Sequence, residues 1–357
     1  MRTILLNPGP VTLSKRVRQA LLRDDLCHRE EEFAELQNAI RAKLLAVYAL
    51  DPTDWAATVM TGSGTAAVEA MITSLVPKQG KLLIVENGVY GERITRIASR
   101  YGIDHLAISA NWESSIDVDQ VGRVLAAENS VTHVAVVHHE TTTGRLNDLA
   151  PLAALCREHG AQILLDAVSS FGAEAIDFEH WPIAAAAATA NKCLHGVPGT
   201  CFVMVDRGAV AKAHPRNLYL DLPTYIAAQD KAGTPFTQSV QTFYALDEAL
   251  NELQDEGGVA SRRKIYRTRM AQIQDVLTGI GIKPFLSDSE TSCVLHAYEI
   301  PDRTNYVELH DRLKAEGFVI YAGQGPYAEK IFRLSMMGDI TANDLDRLSQ
   351  ALLKALG

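Results

Sequence analysis

The sequence predicts an α/β protein with one large domain around a mostly parallel seven-stranded sheet and a smaller C-terminal α/β domain. Three observations carry this. From Ala56 to Asp206, short apolar runs alternate with amphipathic ones, the pattern of strands and helices wound into a parallel sheet. At 357 residues the chain is longer than one small core accommodates. Beyond Asp206 the alternation stops, and a long helical stretch leads into a short mixed tail.

Taken in chain order, the start MRTILLNPGP has two prolines, Pro8 and Pro10, that cannot donate to a central ladder. The segment to about Leu22 is therefore expected to pack on the small domain. The acidic run Glu30 to Glu32 opens a solvated helix. Strands are expected at Ala56–Met60, Lys81–Glu86, His105–Ser109, His133–His138, Gln162–Asp166, Ala184–Ala188 and Cys201–Val205. Helical patterns lie between them, among them Thr65–Leu75 and Leu149–His159, the latter closed by Gly160. A helix over Ser239–Asp255 is halted by Gly257 and Gly258, and a second runs to about Gly279. The tail reads as a strand (Cys293–Tyr298), a helix (Tyr306–Glu316), two short strands (Val319–Tyr321 and Ile331–Leu334) and a final helix (Asn343–Leu356). Residues 23–245 are thus assigned to the large domain, and residues 1–22 with 246–357 to the small one. The chain contains no internal repeat.

Hydrophobic residues make up 47% and charged residues 22%, an ordinary globular composition. A net charge of −9 argues against a nucleic-acid or membrane partner, since both favour clustered Lys and Arg. The cysteines, Cys27, Cys156, Cys193, Cys201 and Cys293, are odd in number and lack CxxC spacing. Neither a disulfide framework nor a metal site is expected, and a reducing cytoplasm fits. No uninterrupted apolar stretch reaches the roughly 18 residues that span a bilayer.

The first candidate for chemistry is Met60-Thr-Gly-Ser-Gly-Thr-Ala-Ala, where a strand meets a glycine turn and then a helix. Such a turn offers free backbone N–H groups at the positive end of a helix dipole, a cradle for phosphate, with hydroxyls from Ser63 and Thr65. The same letters fit G-x-G-x-x-A, and Glu86 ends the next strand, so a nicotinamide-dependent dehydrogenase competes at this point. An ordinary tight turn is the third reading.

Asp166 and Lys192 separate these readings. Asp166 ends the apolar run Gln-Ile-Leu-Leu-Asp, which puts its carboxylate at the carboxyl edge of the sheet, where it can hold a pyridinium nitrogen protonated. Lys192 follows the alanine-rich strand, a setting that desolvates an amine, lowers its pKa and makes it nucleophilic toward an aldehyde. The alternatives are a helix N-cap for Asp166 and a solvated surface lysine for Lys192. A cofactor with an aldehyde, a ring nitrogen and a phosphate needs all three groups together.

The ordered blocks Asn7-Pro-Gly-Pro, Thr61-Gly-Ser-Gly-Thr, Asn87-Gly-Val-Tyr-Gly-Glu-Arg, His139-Glu-Thr-Thr-Thr-Gly, Asp166-Ala-Val-Ser-Ser-Phe-Gly, Ala190-Asn-Lys-Cys and Val197-Pro-Gly run over nearly the whole chain. In them the sequence resembles the class V aminotransferases of fold type I. The resemblance implies pyridoxal 5′-phosphate as cofactor and Lys192 as the lysine that carries it and shuttles a proton. It implies Asp166 on the ring nitrogen, and Ser63, Gly64 and Thr65 on the phosphate. Asn191 is expected to help, as is Thr237 from a neighbouring subunit, in a homodimer with a shared site. Tyr90 is expected to stack on the ring and Thr142 to reach the side of the ring hydroxyl. Tyr90 as a core aromatic at a strand end and Thr237 as a helix N-cap are the structural alternatives. Arg333 is expected to grip the acceptor's carboxylate.

Several of these blocks, with Gly317-Phe-Val-Ile-Tyr, imply 2-aminoethylphosphonate as amino donor and pyruvate as acceptor. Arg29 and Arg93 are the candidates for holding the phosphonate. Cys27-His-Arg is similar to a segment of other members of the family, which leaves an alanine- or serine:glyoxylate reaction as the alternative.

Overall fold

The computed structural model describes residues 2–357. Seven strands build the central sheet: β1 (Trp55–Gly62), β2 (Lys81–Glu86), β3 (His105–Ser109), β4 (Val131–Val137), β5 (Gln162–Asp166), β6 (Ile183–Thr189) and β7 (Gly199–Asp206). Their order in space is β1-β7-β6-β5-β4-β2-β3, and β7 alone runs against the other six. The carboxyl ends of the parallel strands and the amino end of β7 therefore share one edge, where Gly199 pairs with Gly62.

Side chains alternate cleanly across this sheet. Leu83, Val85, Val134, Val136, Ile163 and Leu165 fill one face, and Leu82, Ile84, Ala135, Val137 and Leu164 the other. Burial on both faces is why these strands read as unbroken apolar runs. Each such Leu, Ile or Val stabilises the fold by about 1.5–3 kcal/mol. The alanines of β6 leave room for the helix α1 (Gly64–Leu75), which packs against that strand. At its first residue a Cβ on Gly64 would lie 2.8 Å from Val168 Cγ1, so only glycine lets the helix start this close to the sheet.

The C-terminal part carries a three-stranded antiparallel sheet of Leu295–Glu299, Ile331–Ser335 and Tyr321–Ala322. Its core is formed with helices Gly258–Gly279, Tyr306–Ala315 and Ala342–Leu356. The last helix opens on a capping box of Thr341 and Asp344. Near the amino terminus, Ile4–Leu5 pairs in parallel with Phe318–Val319. The strand expected at Val319–Tyr321 is in fact two. Phe318–Val319 serves Ile4–Leu5, the chain turns at buried Ile320, and Tyr321–Ala322 joins Ile331–Ser335. Two separate partners, one on each side, split what hydrophobicity alone reads as one run.

The helix Val240–Asp255 passes unbroken through position 245. Its apolar face, through Leu253, belongs to the core of the large sheet. The chain changes direction only at Gly257 and Gly258, both at positive φ. Among the described residues no helix is long and apolar enough to cross a membrane.

Candidate active site

A cavity of about 230 Å³ opens at the carboxyl edge of the sheet, the position at which open α/β folds take their ligands. Every strand end that reaches it contributes chemistry. After β1, Ser63 caps α1 without making a side-chain capping bond, so its hydroxyl is free. The first-turn amides of Gly64 and Thr65 are donors that a helix leaves without intrahelical partners. Together they form an anion cradle at a positive helix end.

After β2, Tyr90 and Arg93 stand on the first turn of the helix α2 (Val89–Arg100). The Arg93 guanidinium lies 4.9 Å from the Tyr90 ring centre and donates to Thr65 Oγ1 at 3.0 Å. The start of α2 is held by Glu140, whose carboxylate accepts from the Gly91 amide at 2.9 Å and the Tyr90 amide at 3.4 Å. A Cβ on Gly88 would collide with that carboxyl group. Burial pushes Glu140 up to about 8, opposed by the Gly91 amide and reinforced by the Asp166 carboxylate.

Asp166 closes β5 and is buried. Its Oδ1 accepts from the Val168 amide at 3.0 Å, and the rest of the carboxylate faces the cavity. Burial lifts it to about 6, against the Val168 amide, Arg93 and Lys192, which favour the charged form. Lys192 follows β6 in the turn after Thr189. Burial pulls its amine down to about 8, Arg333 and Arg93 add to this, and Cys193 and Asp166 oppose it. Asn191 lines the same wall and accepts from Thr189 Oγ1 at 2.8 Å.

Eight residues singled out in the sequence thus meet on one cavity: Ser63, Gly64, Thr65, Tyr90, Arg93, Asp166, Asn191 and Lys192. Tyr90 lies on a helix start rather than a strand end. Four residues lie elsewhere. Thr142 is buried and its hydroxyl points to Gln324 Oε1 at 3.5 Å; Thr141 occupies the cavity wall instead. Arg333 is buried one layer behind, donating from Nε to Ala322 O at 2.7 Å and from Nη1 to Thr141 O at 2.8 Å. Arg29 is exposed and reaches Thr234 O at 3.4 Å. Thr237 is exposed, and the N-cap of the following helix is Ser239, not Thr237.

His139 and Ser169 also line the cavity, and sequence reasoning misses both. His139 Nδ1 contacts Ser169 O at 3.1 Å; because a carbonyl only accepts, Nδ1 carries the proton and Nε2 is an acceptor. That Nε2 and Thr141 Oγ1 are buried with no protein partner. His139 and Thr141 closely follow β4, so their place at the sheet edge was available from the strand end. Two orphaned polar atoms, an anion cradle, a buried acid and a desolvated lysine around one cavity fit an anionic cofactor that brings its own polar groups.

The dinucleotide reading fails on topology. In such sites the acidic residue ends the strand beside the glycine turn. Here four strands stand between β1 and β2, and Glu86 accepts hydrogen bonds from Thr95 and Ser109.

Comparison with known proteins bears on the same site. The family described as aminotransferase class-V matches residues 16–348. The 2-aminoethylphosphonate--pyruvate transaminase of Vibrio cholerae is 36% identical over 359 residues, covering 99% of this chain and 97% of the relative. That of Bacillus cereus is 34% identical, covering 99% and 98%. The solved alanine--glyoxylate aminotransferase of a Nostoc species superposes with a TM-score of 0.92 at 28% identity, covering 100% and 96%.

Proposed function

The chain belongs to the class V aminotransferase family, and on that premise we propose that it moves the amino group of 2-aminoethylphosphonate to pyruvate, giving phosphonoacetaldehyde and L-alanine. Full-length similarity to relatives named for that reaction carries the substrate reading. The cofactor is pyridoxal 5′-phosphate, which when bound supplies an aldehyde for the lysine and a protonated ring that draws electrons from the reacting carbon.

In this reading Lys192 Nζ would hold the cofactor through its aldehyde carbon, with loss of water. Once freed by the donor's amine, the Lys192 amine would take the proton from the amino-bearing carbon and return it to the carbon on the other side of the nitrogen. Its low pKa keeps a useful fraction of the free amine unprotonated near neutrality. Asp166 holds the ring nitrogen protonated, the cradle of Ser63, Gly64 and Thr65 binds the phosphate, and Tyr90 presents its ring face, held in place by Glu140. Thr237, exposed on its own subunit, is assigned to the cavity of a second copy in a homodimer.

The two anionic ends of the substrates are assigned to arginines. Arg333 Nε and Nη1 are committed to carbonyls, which fixes the guanidinium plane and leaves its outer edge for a carboxylate. Arg93, on the cavity itself, is assigned to the phosphonate; Arg29 reaches only Thr234 within its own chain. Arg333→Lys is expected to lower kcat/KM for pyruvate about 100-fold, the worth of a bidentate charged pair, while the half-reaction with 2-aminoethylphosphonate stays within a few-fold. Equal losses in both half-reactions, measured by stopped-flow absorbance, would put both anions on Arg333 and remove the role given to Arg93.

The substrate assignment is tested on the yellow holoenzyme. 2-Aminoethylphosphonate alone is expected to bleach the visible band of the lysine-bound cofactor, and pyruvate to restore it. Bleaching by alanine or serine with recovery only on glyoxylate would favour instead the reaction named for the Nostoc structure.

A further inference from the structure

We propose that the carbonyl of Pro8 and the bare backbone of Gly9 form a seat for the Lys192 amine in its free form, a positioning site supplied by the amino-terminal segment. Lys192 Nζ donates a hydrogen bond to Pro8 O, 184 residues away in the chain. The lysine stem lies flat on Gly9: a Cβ there would stand 2.7 Å from Lys192 Cδ and 3.0 Å from both Cε and Nζ. Gly9 has a φ of +113°, a backbone region that also favours glycine.

The seat is held in place from both sides. Asn7 Nδ2 donates to Pro10 O at 3.0 Å across the turn, and Leu5 N to Thr12 Oγ1 at 2.8 Å. Leu6 N donates to Val319 O at 2.8 Å, Ser335 N to Leu6 O at 2.7 Å, and Asp339 N to Thr12 O at 2.8 Å. Ser335 ends the strand that carries Arg333, so the seat and that arginine belong to one hydrogen-bonded unit.

The chemistry suits a lysine that must hand one proton between two carbons on either side of one nitrogen. An amide carbonyl accepts an N–H but is too weak a base to take the proton, so it aims the amine without competing for what the amine carries. A free lysine side chain has considerable rotamer entropy to lose, and small misplacements of a proton-transfer group are costly in rate. A seat formed before the proton moves removes that search.

The inference rests on Lys192 being the cofactor-bearing lysine, which borohydride reduction of the holoenzyme and mass mapping of the labelled peptide tests separately; a label elsewhere ends both readings. The seat is tested by a double-mutant cycle of Gly9→Ala with Lys192→Ala, reading the thermal midpoint of each cofactor-free protein and its affinity for pyridoxamine 5′-phosphate. Strain from the left-handed backbone is common to both backgrounds and cancels. Gly9→Ala is expected to weaken pyridoxamine phosphate binding about tenfold more, and to lower the midpoint further, when Lys192 is present than in the Lys192→Ala background. If Gly9→Ala alone does not fold but the double variant does, the seat is supported. Equal losses in the two backgrounds, or failure of both to fold, overturn it.

Discussion

Lys192→Ala is expected to lower turnover by at least about 10⁴-fold, because one substitution removes both the nucleophile and the proton carrier. The visible band of the lysine-bound cofactor should not form, while pyridoxal phosphate is still retained by the α1 cradle and Asp166. The fold should survive, and the pH dependence of its stability shows why. In the cofactor-free chain the amine is pulled from 10.5 down to about 8 by burial. The folded state therefore disfavours the charged lysine. That penalty is fully present below pH 8, fades as pH rises, and is gone above 10.5. The substitution removes it. The midpoint of the variant relative to wild type should thus be most favourable at pH 7 and decline between pH 8 and 10.5, as followed by circular dichroism. A constant difference across that window would mean that Lys192 is solvated and not the desolvated nucleophile described here.

Much of this site was legible because it hangs on strand ends. The run Gln162–Asp166 reads as a strand from hydrophobicity alone, and its last residue must then face the ligand edge. The same logic reached Lys192 and the Ser63–Thr65 turn. What failed did so where one dimension holds no choice. Thr141, Thr142 and Thr143 are consecutive and alike. Which one faces the cavity is decided by the tight return of the chain, with Glu140 paired to Arg145 and Gly144 at a φ of +90°. A Cβ on Gly144 would lie 2.7 Å from Leu295 O, a contact between distant parts of the chain. The seat at Pro8 is invisible for the same reason. Its motif marks a rigid turn, and nothing local says which side chain lies on it. Glu140, an acid among threonines, carries no local signal of its place; in the fold the amides at the start of α2 offset only part of the cost of its burial.

Asp166→Asn is expected to lower turnover about 10²–10³-fold, the usual worth of one preorganised charged group at a reacting centre. Asparagine keeps the shape and can still accept from the Val168 amide, so the loss reports the charge and not the fold. The wild-type acid also has a cost in the cofactor-free chain, where burial lifts it from 3.8 to about 6. A raised carboxyl favours the folded state below the unfolded value, and that advantage is lost as pH rises through 6. At pH 7 the empty cavity therefore holds an unfavourable buried charge, which a protonated ring nitrogen offsets on binding. The cofactor-free variant should then be more stable than wild type at pH 7, with the two converging below about pH 4. The same titration gives the cofactor-free wild type an acid limb in binding: its affinity for the cofactor should fall as pH drops below about 6, where Asp166 takes up a proton, and that limb should be absent in the variant. Stability gained and activity lost through one atom pair is the signature of a site whose charge is kept for its ligand. If turnover falls less than about tenfold, or if the acid limb persists in Asp166→Asn, the acid holding the ring is another group, and Glu140, a buried carboxyl whose own pKa the nearby Asp166 charge helps to raise, becomes the candidate.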